Sequence, residues 1–270
     1  VIIDAHCHVW PDEIARKVLA DRPVGLDPVH DGTLDGLRRT MDAAGIDMAM
    51  TLAVANAGRT VQRTNEFIGR VDRSRFVPFG TVHPDLSVEE NLAALRDNGV
   101  VGVKLHPLFQ SVAFADARTR EILVALAEND IPVIAHVGSG GDAHQNERGA
   151  PKSLHAMMTE ITGLRLIAAH YGGYQVLDEA EQWSVGSNVH LETSWPPSMG
   201  TLPPERVTSI IRRHGSHRVV FGSDWPMTDP ATEIAAIKAL GLTAEEESGI
   251  LGGNLARLLR IESPATSLAT

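Results

Sequence analysis

Eight short apolar runs recur along the 270-residue chain, each followed by a longer stretch, and this alternation restricts the fold more than any other feature. The runs are Val1–His8, Ile46–Ala53, Phe76–Val82, Val100–His106, Ile131–Val137, Leu164–His170, Asn188–Thr193 and Arg218–Asp224. Helical periodicity is read between them over Leu34–Ala44, Val88–Asn98, Arg118–Asn129, Ser153–Ile161 and Glu205–Arg213. A closing helix is expected over Thr243–Arg260, before a frayed tail at Glu262–Thr270. Ser87-x-x-Glu90 and Thr243-x-x-Glu246 read as capping boxes, and Pro203-Pro204 suits a first helical turn. Gly45, Gly99 and Gly215 stand where left-handed C-caps are needed. Strand–helix units roughly 25–45 residues apart predict an α/β fold, a (β/α)8 barrel forming a single domain over residues 1–270. A doubly wound open sheet would carry a glycine-rich phosphate turn after its first strand, and none follows His8. Gly138-Ser139-Gly140-Gly141 follows the fifth strand and lacks the Lys-Ser/Thr of a phosphate loop, so it reads as a substrate loop.

Composition narrows the partners. Lys+Arg 24 against Asp+Glu 34 gives a net charge of −10, which argues against nucleic acid or an anionic membrane surface. The single cysteine, Cys7, cannot form an internal disulfide, suits the cytoplasm, and reads as a small core residue. No run of 18 apolar residues or charged-then-apolar leader is visible, and residues upstream of Val1 are left open. No unexplained apolar helix face marks an oligomer interface, and homo-oligomer formation is left open too.

In a parallel barrel the C-terminal strand ends meet at one mouth, so the residues that finish the strands decide the chemistry. The first run ends Asp4-Ala5-His6-Cys7-His8, and strict alternation would put Asp4, His6 and His8 on one face. Polar residues on the inner face of a strand need a reason, and a metal ion supplies one. Others end in Lys104-Leu105-His106, His136, His170, Glu192 and Ser223-Asp224, and His83 follows the third. The pieces Asp4–His8, Gly102–Pro107, Ala135-His136, Ala169–Gly173 and Phe221–Pro226 together resemble the amidohydrolase superfamily, in its amidohydrolase-2 branch. That branch includes the aminocarboxymuconate-semialdehyde decarboxylase group. The resemblance implies that His6, His8, His136 and Asp224 ligate one divalent metal, most often Zn²⁺ with Mn²⁺ as an alternative. It also implies that His170 is an acid/base or substrate-polarising residue.

Three neutral imidazoles and a carboxylate suit a borderline cation and leave a place for water, whose pKa would drop to roughly 7. Asp224 would then take and return the proton, and His170 would hydrogen-bond the carbonyl or the attacking water. The unmetallated alternative is a set of histidines hydrogen-bonded in a polar mouth. Lys104 reads as a structural partner of Asp4 or Glu192 rather than a bridging carbamate. Trp10, Trp195 and Trp225 each precede a proline just beyond a strand end, and they read as a substrate wall or as loop plugs. His106 is a further substrate-site candidate. Arg148, Arg59 and Arg63 either grip a substrate carboxylate or lie as exposed charges. The expected activity is hydrolysis of an amide, ester or lactone of a small molecule by metal-bound water. A non-oxidative decarboxylase on the same site is the alternative, favoured if Arg148 or Arg59 engages the mouth. A silent ligand-binding barrel is the third reading.

Overall fold

The structure, a computed structural model, describes residues 1–20, 26–140 and 143–261. Each apolar run holds one strand: β1 (Ile3–His8), β2 (Met48–Leu52), β3 (Phe76–Gly80), β4 (Gly102–Leu105), β5 (Val133–Ala135), β6 (Leu166–Ala168), β7 (His190–Glu192) and β8 (Val219–Val220). They form one parallel sheet in the order β1 to β8. The ring closes where the Ala5 N–H donates to the Phe221 carbonyl at 2.9 Å, Trp225 to His6 at 3.0 Å and His8 to Trp225 at 2.7 Å. This is the α/β fold expected, a (β/α)8 barrel with helices between the strands.

Side-chain alternation sorts the apolar residues into two layers. Met50, Leu52, Val77, Phe79, Ile134, Ile167 and Val220 cluster inside the barrel, joined by Leu255 from the closing segment. Opposite-face residues such as Ala49, Val103, Leu105, Val133, Leu166 and Leu191 pack against helix residues Leu37, Met41, Leu95, Leu126, Leu154 and Ile210. Gly102 leaves room for the Phe79 ring, since a Cβ there would lie 2.3 Å from it.

The expected helices form over Leu34–Ala44, Val88–Asp97, Ala117–Glu128, Pro151–Glu160 and Pro204–His214. Both capping boxes are present, at Ser87/Glu90 and Thr243/Glu246. Gly45 is a left-handed C-cap at φ 70°, whereas Gly215 ends its helix outside that region, at ψ 110°. The closing segment is not one α-helix. A π-turn over Gly249–Gly253 separates Ala244–Ser248 from Asn254–Leu259. The tail expected at Glu262–Thr270 lies outside the described residues. Among the described residues no helix is long and apolar enough to cross a membrane.

Trp225 is the largest fully buried side chain, at 0% exposure. Its indole N–H donates to Thr40 Oγ1 at 3.3 Å and its ring stacks on His30 at 5.8 Å. It is therefore a plug of the β1–β8 seam and not part of a substrate wall, which corrects the reading of Trp225 as a substrate contact. Trp225→Ala should cost about 3–5 kcal/mol of stability in urea unfolding. A variant as stable as the parent would contradict the plug assignment.

Candidate metal centre

Strict alternation does not deliver His6 and His8 to the mouth; a bulge does. In the pairing with β2, Asp4 faces Ala49 but Cys7 faces Thr51, so β1 carries one extra residue between them. Ile3 and Ala5 accordingly join the interior layer, while Cys7 and Val9 join the outer one. Asp4 is turned into the seam. Its Oδ1 accepts the N–H groups of His6 and Ser223 at 2.9 and 3.0 Å, and its Oδ2 accepts the Ser223 hydroxyl at 2.6 Å. His170 is also out of strand phase, beyond the end of β6. It reaches the centre because His170 and Tyr171 adopt left-handed backbone, at φ 60° and 54°. Asp224 does the same at φ 62°. Such conformations cost of order 1–3 kcal/mol each, and three of them gathered at one mouth indicate a geometry enforced by the surrounding fold.

The side chains that meet there are nearly all buried. His6 Nε2 lies 3.2 Å from His8 Nε2, 3.1 Å from Lys104 Nζ and 3.3 Å from Asp224 Oδ1. Asp224 Oδ1 is 3.7 Å from His8 Nε2. On the other side, His136 Nδ1 faces His170 Nε2 at 3.1 Å, and the His6 and His170 rings are 5.3 Å apart. Donor atoms of His6, His170 and Asp224 all fall within 4.8 Å of one another. The structure thus brings together His6, His8, His136, His170 and Asp224, from four strand ends, those of β1, β5, β6 and β8.

Burial, aided by Lys104 and neighbouring rings, holds the His6, His106 and His170 imidazoles well below their ordinary pKa and His136 down to about 3. Burial also lowers the Lys104 ammonium and raises the Glu192 carboxyl, while each one's charge favours ionisation of the other. Lys104 Nζ lies 3.1 Å from His6 Nε2; of its two expected partners, Asp4 is instead held by Ser223, while Glu192 lies near enough for its charge to stabilise the ammonium. Asp4 itself is pushed up to about 6 by burial.

The donor set fits a divalent cation on its own chemistry. His136 Nε2 is 2.8 Å from the Ser139 carbonyl, which can only accept a hydrogen bond, so the ring proton belongs on Nε2 and Nδ1 is bare. His170 Nδ1 is 3.2 Å from the Ser194 carbonyl, which likewise leaves Nε2 bare. Two bare nitrogens then face each other at 3.1 Å, an arrangement that a nearby cation relieves. Among the described residues, donor atoms of His6, His170 and Asp224 lie close enough together to hold one, with His8 beside Asp224 and His136 beside His170.

The proposed substrate contacts are spread more widely. Trp10 stacks beside His8 at 5.9 Å, and Trp195 meets Tyr174, whose own ring is 5.1 Å from His170. His106 lies inside a column of rings, 3.8 Å from Phe109 and 4.3 Å from His136. Phe109 is half exposed, and Phe109 and Tyr174 had no strand-end signal to mark them. Arg148 donates through Nη1 to the Ser111 carbonyl at 2.7 Å and ties two loops together. Arg59 and Arg63 sit exposed on the helix Gly58–Gly69.

These burial effects set a pH dependence in the metal-free protein. His190 and His214 are lowered to about 4 by burial and Arg218, and join the four mouth imidazoles already described. Below pH 6.5 the unfolded chain takes up protons that these folded sites refuse, so each withdraws up to about 1.4 kcal/mol of stability per pH unit. The raised carboxyls Asp4, Glu192 and Glu233 act the opposite way, but there are fewer of them. Thermal unfolding should therefore occur several degrees lower at pH 5 than at pH 7. An equal or higher midpoint at pH 5 would contradict this balance.

Comparison with known proteins agrees with the barrel fold. Solved structures of similar fold include a TIM-barrel protein from Bordetella bronchiseptica, at 20% identity and TM-score 0.73, covering 96% of this chain and 98% of that one. A dihydroxybenzoic acid decarboxylase from Polaromonas, solved with manganese and an inhibitor, gives 17% identity, TM-score 0.74 and 98% coverage of both chains. A protein assigned as a 2-pyrone-4,6-dicarboxylic acid hydrolase from Acinetobacter baumannii, with citric acid bound, gives 18% identity and TM-score 0.68, covering 96% and 99%. No curated protein sequence matches the chain. The family described as Amidohydrolase matches residues 3–261, nearly the whole length, and the chain belongs to that amidohydrolase family.

Proposed function

We propose that this protein is a metal-dependent hydrolase that opens an amide, ester or lactone of a small molecule. The observation that carries the reading is the juxtaposition of Asp224 with the His6 and His8 nitrogens, at 3.3 and 3.7 Å, in a mouth of neutral imidazoles. His6, His8, His136 and Asp224 would hold one divalent cation, and the manganese in the Polaromonas structure supports a divalent ion without selecting between Zn²⁺ and Mn²⁺. When bound, such an ion polarises a carbonyl and makes water more acidic. Asp224 accepts the proton of the attacking water and returns it to the leaving group. His170, bare at Nε2, accepts a hydrogen bond from that water and orients it. Decarboxylation would ask for a cation gripping a second carboxylate. Arg148 is engaged with Ser111 and Arg59 is exposed, so hydrolysis is the better reading.

Protein purified without chelator should contain about one divalent metal per chain, and a panel of lactones, amides and dicarboxylates should show acid release without CO₂ release. Release of CO₂ from a dicarboxylate would replace this reading with the decarboxylase one. Asp224→Asn should lower kcat/KM by at least about 100-fold, the typical loss of a proton-transfer group. Near-normal turnover would remove its role. His170→Asn should retain metal and lose most turnover. Loss of the metal in that variant would move His170 into the ligand set, as the 4.8 Å grouping of His6, His170 and Asp224 would allow.

A further inference from the structure

Glu192 has no part in the reading above, yet it accepts four hydrogen bonds in the centre. It is fully buried on β7. Its Oε2 accepts from His6 Nδ1 at 3.0 Å, from the Ser194 hydroxyl at 2.9 Å and from the His170 backbone N–H at 3.3 Å. Its Oε1 accepts from the Ser194 backbone N–H. Having given its single proton to Glu192, the Ser194 hydroxyl is an acceptor for ring nitrogens, 2.9 Å from His170 Nδ1 and 3.3 Å from His6 Nδ1. The fold makes room for this carboxylate: a Cβ on Gly222 would lie 2.3 Å from Glu192 Oε1 and 2.8 Å from its Cγ. A buried anion is costly unless hydrogen-bonded and balanced by charge, and here it has four donors and the buried Lys104 nearby.

We propose that Glu192 is a positioning residue that sets the ring tautomer of two histidines at once. Acting directly on His6 and through Ser194 on His170, it draws both ring protons to Nδ1 and turns both bare Nε2 atoms toward the cation site. The inference rests on the proposed function only for what those nitrogens face, since the tautomers belong to the chain itself. A carboxylate or carbonyl on the far nitrogen of a metal-binding histidine fixes its orientation and basicity, and its loss typically weakens metal binding by about 10–100-fold.

Two readouts besides turnover test it on the full chain. Long-range ¹H–¹⁵N correlation of histidine-labelled, metal-stripped protein should show His6 and His170 protonated at Nδ1. An Nε2–H form of either ring in the parent protein would overturn the proposal without any variant. Ser194→Ala removes the hydroxyl but keeps the carbonyl at His170 Nδ1, so it should lower without abolishing the Nδ1–H population of His170 and leave His6 at Nδ1–H. Glu192→Gln places an amide donor among these donors; it should release His6 from the Nδ1–H form and weaken Zn²⁺ affinity, measured by chelator competition, by about 10–100-fold. A Glu192→Gln protein with parental Zn²⁺ affinity and unchanged tautomers would overturn it. If the parent protein binds neither Zn²⁺ nor Mn²⁺ yet shows both Nδ1–H rings, the proposed function falls and the positioning role stands.

Discussion

The β1–β8 seam is the constraint on which the rest of this molecule depends. Barrel closure there is made by three backbone hydrogen bonds and by the Asp4 carboxylate, which spans to the Ser223 N–H and hydroxyl. The same few residues carry His6, His8 and Asp224. The bulge that turns Asp4 into the seam is also what turns the two histidines into the mouth. Closure and site construction are therefore one event. Trp225, buried beside Asp224, fills the outer side of the seam and ties its integrity to the helix that carries Thr40.

The second theme is charge held out of water. Asp4, Glu192 and Lys104 are fully buried together with a row of imidazoles kept neutral by burial. Such a set is unfavourable as a folding core, and leaving any member unpaired would cost several kcal/mol. It persists because each group has a specific partner, and because left-handed backbone at His170 and Asp224 holds donors where relaxed strands would not put them. A mouth arranged in this way has little need to reorganise when charge develops during a reaction.

Much of this can be read from the residues, and what cannot has physical reasons. The strands announced themselves because buried parallel strands are continuous apolar runs, and capping boxes announced two helix starts. Strand-end position marked His6, His8, His136, His170 and Asp224 along with His83 and His106, and the family resemblance singled out the first five. Alternation gave the wrong account of Asp4, since a bulge leaves no mark in a run as short as Ile3–His8. It also could not foresee that His170 reaches the centre through left-handed backbone. Trp225 and Arg148 show the limit for loops: a Trp-Pro pair looks the same whether it lines a pocket or plugs a seam, and an arginine in a loop does not reveal that a carbonyl such as that of Ser111 will hold it. Phe109 and Tyr174 were invisible for the same reason, because their place depends on where loops fold back. Glu192 stood at a strand end, but its grip on two histidines arises only from the neighbouring Ser194 and the space at Gly222.

The central claim is that four strand ends converge on one cation. It is tested most directly by an anomalous difference map from crystals of the full chain soaked in Mn²⁺. The account predicts a single strong peak in the mouth within coordination distance of His6 and Asp224. A map in which Mn²⁺ binds elsewhere on the protein, or in which no peak touches either residue, would contradict it.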